Sequence, residues 1–212
     1  MRLPILILVA LAGFAFLGAA QTSTPPNTLT PQEQADGWHL LWDGKTSAGW
    51  RSVKTNTFPA KGWVMKDGML TVIESGGVEG GDGGDIITVD RYSDFELLVD
   101  FKLTPGANSG IKYFVHPDLD PVTGTGTKAA TGSAIGPEYQ ELDDERHPDA
   151  KLGRNGDRTL ASLYDLMPAA KSKPTNAIGE WADGHILLQE HGNRVSFRSL
   201  KIRTSPQGQP AK

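Results

Sequence analysis

The sequence predicts an all-β fold, a sandwich of short strands, and three observations carry that expectation. The stretch "FELLVDFKL" (95–103) alternates, with Phe95, Leu97, Val99, Phe101 and Leu103 on one face and Glu96, Asp100 and Lys102 opposite, the period-2 pattern of a half-buried strand. "GWVMKDGMLTVI" (62–73) places Asp67-Gly68 between two apolar runs, a strong hairpin signal. Glycine at 25 and proline at 14 among 212 residues imply many turns. Many short strands at regular spacing belong to a sandwich or barrel, and the sandwich is the reading taken here.

Taken in order, the chain opens Met1-Arg2-Leu3, runs apolar through "PILILVALAGFAFL" (4–17) and reaches Gly18-Ala19-Ala20. A cationic start, a short apolar core and small residues at its end describe a secretory signal peptide over 1–20. The apolar run is shorter than the ~20 residues that span a bilayer; an uncleaved anchor is the alternative. Residues 21–29 ("QTSTPPNTL") have too little apolar content to pack and are expected to be a flexible tether. Thr30-Pro31-Gln32-Glu33 then offers a capping box with proline at the first helical position, so a short helix should end near Gly37. "WHLLW" (38–42) reads as a strand leading into the turn Asp43-Gly44. Further strands are expected at 109–115, 137–142, 162–166, 185–189 and 195–202. In the last, Val195 and Phe197 change parity to Leu200 and Ile202, which predicts a bulge. The domain spans 30–203, and 204–212 form a disordered tail.

Bulk properties narrow the function. The net charge is −4 with Lys and Arg scattered, which argues against a nucleic-acid surface. There is no cysteine, so an exported chain of this kind relies on its core rather than on disulfides, and a lipid-modified N-terminal cysteine is excluded. Long polar loops at 75–84, 116–136 and 145–160 are of a length that is usually functional or disordered.

Several motifs have plain readings. "GGDGGD" (80–85) fits a calcium turn only when repeated and is read as a flexible hairpin tip. "DGKTS" (43–47) lacks the upstream glycine of a phosphate loop and is read as a turn. The five tryptophans could stack on sugars, but Trp63 sits in an alternating strand and is expected in the core. Two stretches stand out. In "GPEYQELDDERHPDA" (136–150), an extended strand puts Glu138, Gln140, Leu142 and Asp144 on one face and Tyr139, Glu141 and Asp143 on the other. Neither face is cleanly apolar, so the strand either drifts into solvent or lines a site. "HILLQEHG" (185–192) carries His185, Gln189 and His191 on one side, a polar row suited to a ligand or to a solvated sheet face.

The blocks "LLWDGKTSAGW", "GWVMKDGMLTV", "YSDFELLVDFKLTPGANSGIKYFV", "GPEYQELDDERHPDA", "SLYDLMPA", "GEW" and "GHILLQEHGNRVSFRSLKIR" resemble, in that order, the 3-keto-disaccharide hydrolase domain family. The resemblance covers nearly all of the chain from Thr30 to Arg203. It implies a concanavalin-like jelly-roll sandwich, bacterial export to the periplasm or medium, and action on sugars oxidised at C3. Two departures accompany it. The family's strand carries an apolar residue where Glu141 stands, so Glu141 is a poor candidate for a shared role. The family also has a "HWLNG"-like hairpin segment between the Trp of "GEW" and the "GHI" block, whereas here Trp181 runs directly into Ala182-Asp183-Gly184-His185. The sandwich is therefore expected to be shortened.

Cleavage through a C3 ketone needs a base near C2, a positive or hydrogen-bonding group at the C3 oxygen and an acid at the leaving oxygen. Glu138 or His185 is expected as base, Asp143 as acid and Lys112 as enolate stabiliser. Gln140, Tyr164, Gln189 and His191 are expected to hold substrate hydroxyls. No cofactor is evident. A divalent metal could stand in for Lys112, since carboxylates with imidazole suit several metals. The expected partners are a small carbohydrate and a separate sugar 3-dehydrogenase, with neither nucleic acid nor membrane. Two other functions compete: a non-catalytic lectin-like module, because fold does not fix function, and a retaining β-glucanase using the carboxylates of Glu141-Leu142-Asp143-Asp144-Glu145.

Overall fold

The computed structural model describes residues 24–76, 83–118, 134–173, 178, 182–184 and 192–204. Its one α-helix among these, α1 (Pro31–Ala35), is built as its sequence demands. The Thr30 hydroxyl accepts from Glu33 N–H and the Glu33 carboxylate accepts from Thr30 N–H, with Pro31 at the first turn. The expected capping box is present.

The strands are β1 (Trp38–Leu40), β2 (Trp50–Ser52), β3 (Trp63–Lys66), β4 (Met69–Val72), β5 (Ile86–Thr88), β6 (Phe95–Leu103), β7 (Asn108–Lys112), β8 (Glu138–Leu142), β9 (Ala182–Gly184) and β10 (Val195–Thr204). The main antiparallel sheet runs β3-β4-β10-β6-β9, with β1 also pairing β10. The hairpins β2-β5 and β7-β8 form two small sheets. Trp63, Leu70, Val72, Leu97, Val99, Phe101, Val195 and Phe197 of the main sheet share one apolar cluster with Trp50 and Ile86 of β2-β5 and Ile111 of β7. That shared core makes the small sheets the second layer of an all-β sandwich.

Local signals account for much of this. Asp67 and Gly68 both have positive φ, 53° and 69°, the two-residue turn that joins β3 to β4 with Lys66 opposite Met69. In β6 the residues Leu97, Val99, Phe101 and Leu103 are buried, as the alternation requires. The parity change in β10 is a real irregularity. The β6–β10 register shifts between Arg198 and Lys201, and Ser199 sits at φ 52°. Both Val195/Phe197 and Leu200/Ile202 thereby reach the core. Asn27, within the stretch read as a tether, fastens this bulge: its side chain accepts from Ser199 N–H and donates to the Gly68 carbonyl.

Some expected strands end early. The strand expected at 109–115 stops at Lys112, because Phe114 adopts φ 52° and turns the chain. The segment 162–166 makes only isolated bridges, Leu163 to Tyr139 and to Met167, since Ala161 and Asp165 on either side have positive φ. Even so, it lies along β8: Gln140 N–H donates to the Ser162 carbonyl, and Tyr164 N–H to that of Glu138. The expected strand 185–189 lies outside the described residues. Trp38, Trp42, Trp50 and Trp63 are all buried, so four of the five tryptophans are spent on the core.

Candidate functional site

The site is built on the β7–β8 hairpin. Its register sets Lys112 opposite Glu138, Gly110 opposite Gln140 and Asn108 opposite Leu142. Directly paired residues share a face, so Lys112, Glu138, Gln140 and Asn108 lie together on one side. Ile111 and Tyr139 occupy the other side and pack on the core.

Lys112 is the centre. Its Nζ lies 3.8 Å from Asp85 Oδ2 and 3.9 Å from Glu138 Oε2. The three side chains are 7%, 3% and 13% exposed, so one ammonium stands between two carboxylates with little water to screen them. At these distances the contacts are electrostatic rather than hydrogen bonds. Burial is tolerable for such charges only in each other's company.

Asp85 was not anticipated. It ends the glycine-rich stretch read as a flexible tip, and the described part of that stretch is firmly docked. Gly84 carbonyl accepts from Trp63 Nε1 at 2.9 Å, and Asp85 carbonyl accepts from Val53 N–H at 3.0 Å. A Cβ at Gly83 would collide with the Lys61 carbonyl, so only glycine permits this approach. The glycines serve close packing that aims Asp85 at Lys112. The sequence signal was an aspartate ending a glycine run ahead of an apolar strand, a pattern too common to single out.

Gln140 is 1% exposed, and neither its amide nitrogen nor its oxygen has a hydrogen-bond partner among the described residues; the same holds for the Asn108 side-chain oxygen. Gly110, without a side chain, stands opposite Gln140. Buried unsatisfied amides are rare, and on the face that carries Lys112 and Glu138 they suit paired hydroxyls.

Glu141 is fully buried and unpaired among the described residues. It is buried as an apolar residue would be. Desolvation, with a further contribution from Glu138, pushes its carboxyl well above the usual carboxylate range. Burial thus favours its neutral form.

Asp143 does not fit the role of leaving-group acid. Its side chain accepts from the N–H groups of Gly106, Glu145 and Arg146 and from the Arg146 guanidinium, at 2.8 to 3.3 Å. Burial opposes its charge, but these bonds, led by that from Gly106, hold its carboxyl below the usual range. It remains an anion and staples the end of β8 to the β6–β7 connection. Tyr164 is also engaged elsewhere, with its ring under the Arg158 guanidinium at 4.9 Å. Burial, then Asp149, which hydrogen-bonds its hydroxyl, raises its phenol. His185, Gln189 and His191 lie outside the described residues. The glucanase alternative loses its set of three carboxylates: Glu141 is in the core, Asp143 is capped, and Glu145 points into solvent, 81% exposed and 3.5 Å from the Arg146 guanidinium. Among the described residues no group of three or more His, Asp or Glu is arranged to hold a metal.

These features define an antiparallel β-sandwich protein with a buried lysine–dicarboxylate group on its shorter layer. The chain belongs to the 3-keto-alpha-glucoside-1,2-lyase-like domain family, whose model matches residues 37–183. It is 41% identical over 165 residues to a 3-keto-disaccharide hydrolase of Bacteroides thetaiotaomicron, an alignment covering 73% of this chain and 53% of the relative. The chain thus spans about half the length of the curated relative it matches. Its fold is shared with a solved structure described as a candidate glycosyl hydrolase from Parabacteroides distasonis, with a TM-score of 0.66 at 24% identity, covering 85% of this chain and all of that one.

Proposed function

We propose that this chain is an exported hydrolase of 3-keto glycosides that cleaves by elimination followed by hydration. The observation that carries the reading is the pairing of Glu138 with Lys112 inside a buried, doubly anionic setting, in a member of this family.

A ketone at C3 acidifies the hydrogen on C2. The Glu138 carboxylate removes that proton, and the electron pair moves onto the C3 oxygen beside the Lys112 ammonium. Fixed charge aimed at a developing oxyanion in a dry site is the strongest common source of rate enhancement. The enolate then collapses to an enone, breaking the C1–O bond. The proton taken by Glu138 is returned to the departing oxygen, which makes a separate acid at Asp143 unnecessary. Water adds at C1, a proton returns to C2, and the net result is hydrolysis. Gln140 and Asn108 hold sugar hydroxyls. Asp85, 3.8 Å from the same ammonium, fixes it in place.

Export belongs to the same proposal and rests on residues 1–20, with their cationic start, apolar run and small residues. The ketone is supplied by a separate oxidoreductase acting on C3 of the sugar.

The test is incubation with a 3-keto-disaccharide and its unoxidised parent. Cleavage of the ketone alone is expected, and Glu138→Gln should abolish it while the fold persists. Full activity in Glu138→Gln, or cleavage of the parent sugar, would overturn the mechanism. Binding without cleavage would point to a lectin-like module.

A further inference from the structure

A cavity of about 940 Å³ lies along β5 and the turn that follows β7, at the upper end of the range of small-molecule sites. Of the group described above, Lys112 lines it, and Asp85, Glu138 and Gln140 do not. Its lining is graded from apolar to charged. Ile86, Leu97 and Ile202 are buried, whereas Asp90, Arg91, His116 and Asp118 are exposed. Tyr92, Phe95 and Phe114 add aromatic rings. Tyr92–Phe95 and Phe95–Phe114 meet edge to face, with centroids 6.5 and 5.9 Å apart. Phe114 is 57% exposed, and its backbone is held at φ 52°. A bulky residue in that region is strained, and such strain concentrates at ligand-holding positions. The flanking residues hold it there, Tyr113 N–H donating to the Pro137 carbonyl and His116 N–H to that of Ile135.

We infer that this cavity is a second carbohydrate site, which holds a neutral, unoxidised oligosaccharide independently of the reacting group. A pyranose has C–H faces and a rim of hydroxyls. Its faces suit aromatic rings, whose negative π-surfaces attract C–H groups. Its hydroxyls both donate and accept, so they can meet the carboxylates of Asp90 and Asp118, the Arg91 guanidinium and the His116 imidazole. The formal charges balance: Arg51 and Arg91 stand against Asp90 and Asp118, and Lys112 is offset by Asp85 and Glu138. An anion therefore gains no net attraction here. A purely apolar ligand would strip water from the charged side chains and replace none of their hydrogen bonds, which is costly. A polyol with apolar faces meets both halves of the lining, and the volume admits more than one ring. The ligand need carry no ketone, because Glu138 and Gln140 are not in the lining.

The experiment uses the full chain. Calorimetric titration compares maltose and cellobiose with methyl glucoside and with cyclohexanol, a ring of similar size without the hydroxyl rim. At least one disaccharide should bind more tightly than both small probes by about fivefold or more, and Phe114→Ala should remove about that advantage. Phe114→Gly, which suits the positive φ and guards against misfolding of the alanine variant, should do the same. Phe114→Tyr should keep the binding. Turnover of methyl 3-keto-glucoside should stay within about twofold in the Phe114 variants. Glu138→Gln should show the converse, with turnover lost and disaccharide binding kept. The inference falls if neither disaccharide binds, if cyclohexanol binds as tightly, if Phe114→Gly binds like the parent chain, or if Glu138→Gln loses disaccharide binding to the same extent. Disaccharide binding that depends on Phe114, in a chain that cleaves no 3-keto sugar, would support this site and sink the hydrolase reading instead.

Discussion

Lys112 and Glu138 face each other across the β7–β8 ladder, with Nζ and Oε2 3.9 Å apart and Asp85 Oδ2 3.8 Å from the same nitrogen. The pairing follows from strand register, so a slip of one residue would send the two side chains to the opposite face. Three predictions concern this hairpin and its supports, and a fourth the bulge in β10.

Removing the ammonium should be severe for both fold and turnover. Lys112→Met leaves two buried carboxylates repelling each other, and breaking a buried ion pair costs about 3–5 kcal/mol. The melting temperature should fall by roughly 6–20 °C at ~2–4 °C per kcal/mol for a domain of this size. Adding Asp85→Asn to Lys112→Met should recover part of the stability but none of the activity. A melting temperature unchanged in Lys112→Met would show that the three charges do not depend on one another.

Asp143→Asn should behave as a structural lesion. The substitution weakens three backbone N–H bonds and the contact with Arg146, costing about 1–3 kcal/mol. The folded carboxyl is depressed by those bonds, so its stabilisation is complete above the unfolded value, about 3.9, and disappears as pH falls through the lower folded value. The variant should therefore lose stability at pH 7 and show a shallower acid transition below about pH 4. Its pH–activity profile near neutrality should keep its shape. A shifted profile would restore Asp143 as a proton donor.

Glu141→Gln should stabilise the protein. The folded carboxyl is raised by burial, so above the unfolded value, about 4.3, the unfolded chain ionises while the folded chain must keep its proton. Stability therefore falls as pH rises from there towards the folded value. The amide removes that loss, and the gain should be absent near pH 4 and grow towards pH 8. A rise of about 3 °C or more at pH 8, as about 1 kcal/mol gives in a domain of this size, is expected in thermal melts. An unchanged or lowered melting temperature at pH 8 would show that the buried carboxylate carries its charge.

Asn27→Ala should destabilise the bulge in β10. It removes the bond from Ser199 N–H at 2.8 Å and the bond to the Gly68 carbonyl at 2.9 Å, each worth about 0.5–1.5 kcal/mol. A chain beginning at Thr30 should show the same loss by denaturant titration. Equal stability of both forms would make Asn27 part of a free tether.

What the sequence by itself determined is what neighbouring residues decide. The capping box at Thr30 and Glu33, the Asp67-Gly68 turn, the alternation of 95–103 and the bulge between Phe197 and Leu200 each follow from steric and hydrogen-bonding rules acting over a few residues. Glu138 and Gln140 stood out in the same way on a polar strand face, whereas Lys112 was expected only from the chemistry that the family resemblance implies. Only the tertiary structure decided that Asp85, from a glycine run, joins Lys112, that Asp143 spends its oxygens on Gly106 and Arg146, and that Glu141 lies in the core. The physical reason is that a carboxylate's behaviour depends on its solvent and partners. Three acids within six residues, two on β8 and one just past its end, met three environments: an ammonium, the buried interior and a set of backbone N–H groups. Those surroundings come from segments distant in the chain, and no local pattern contains them.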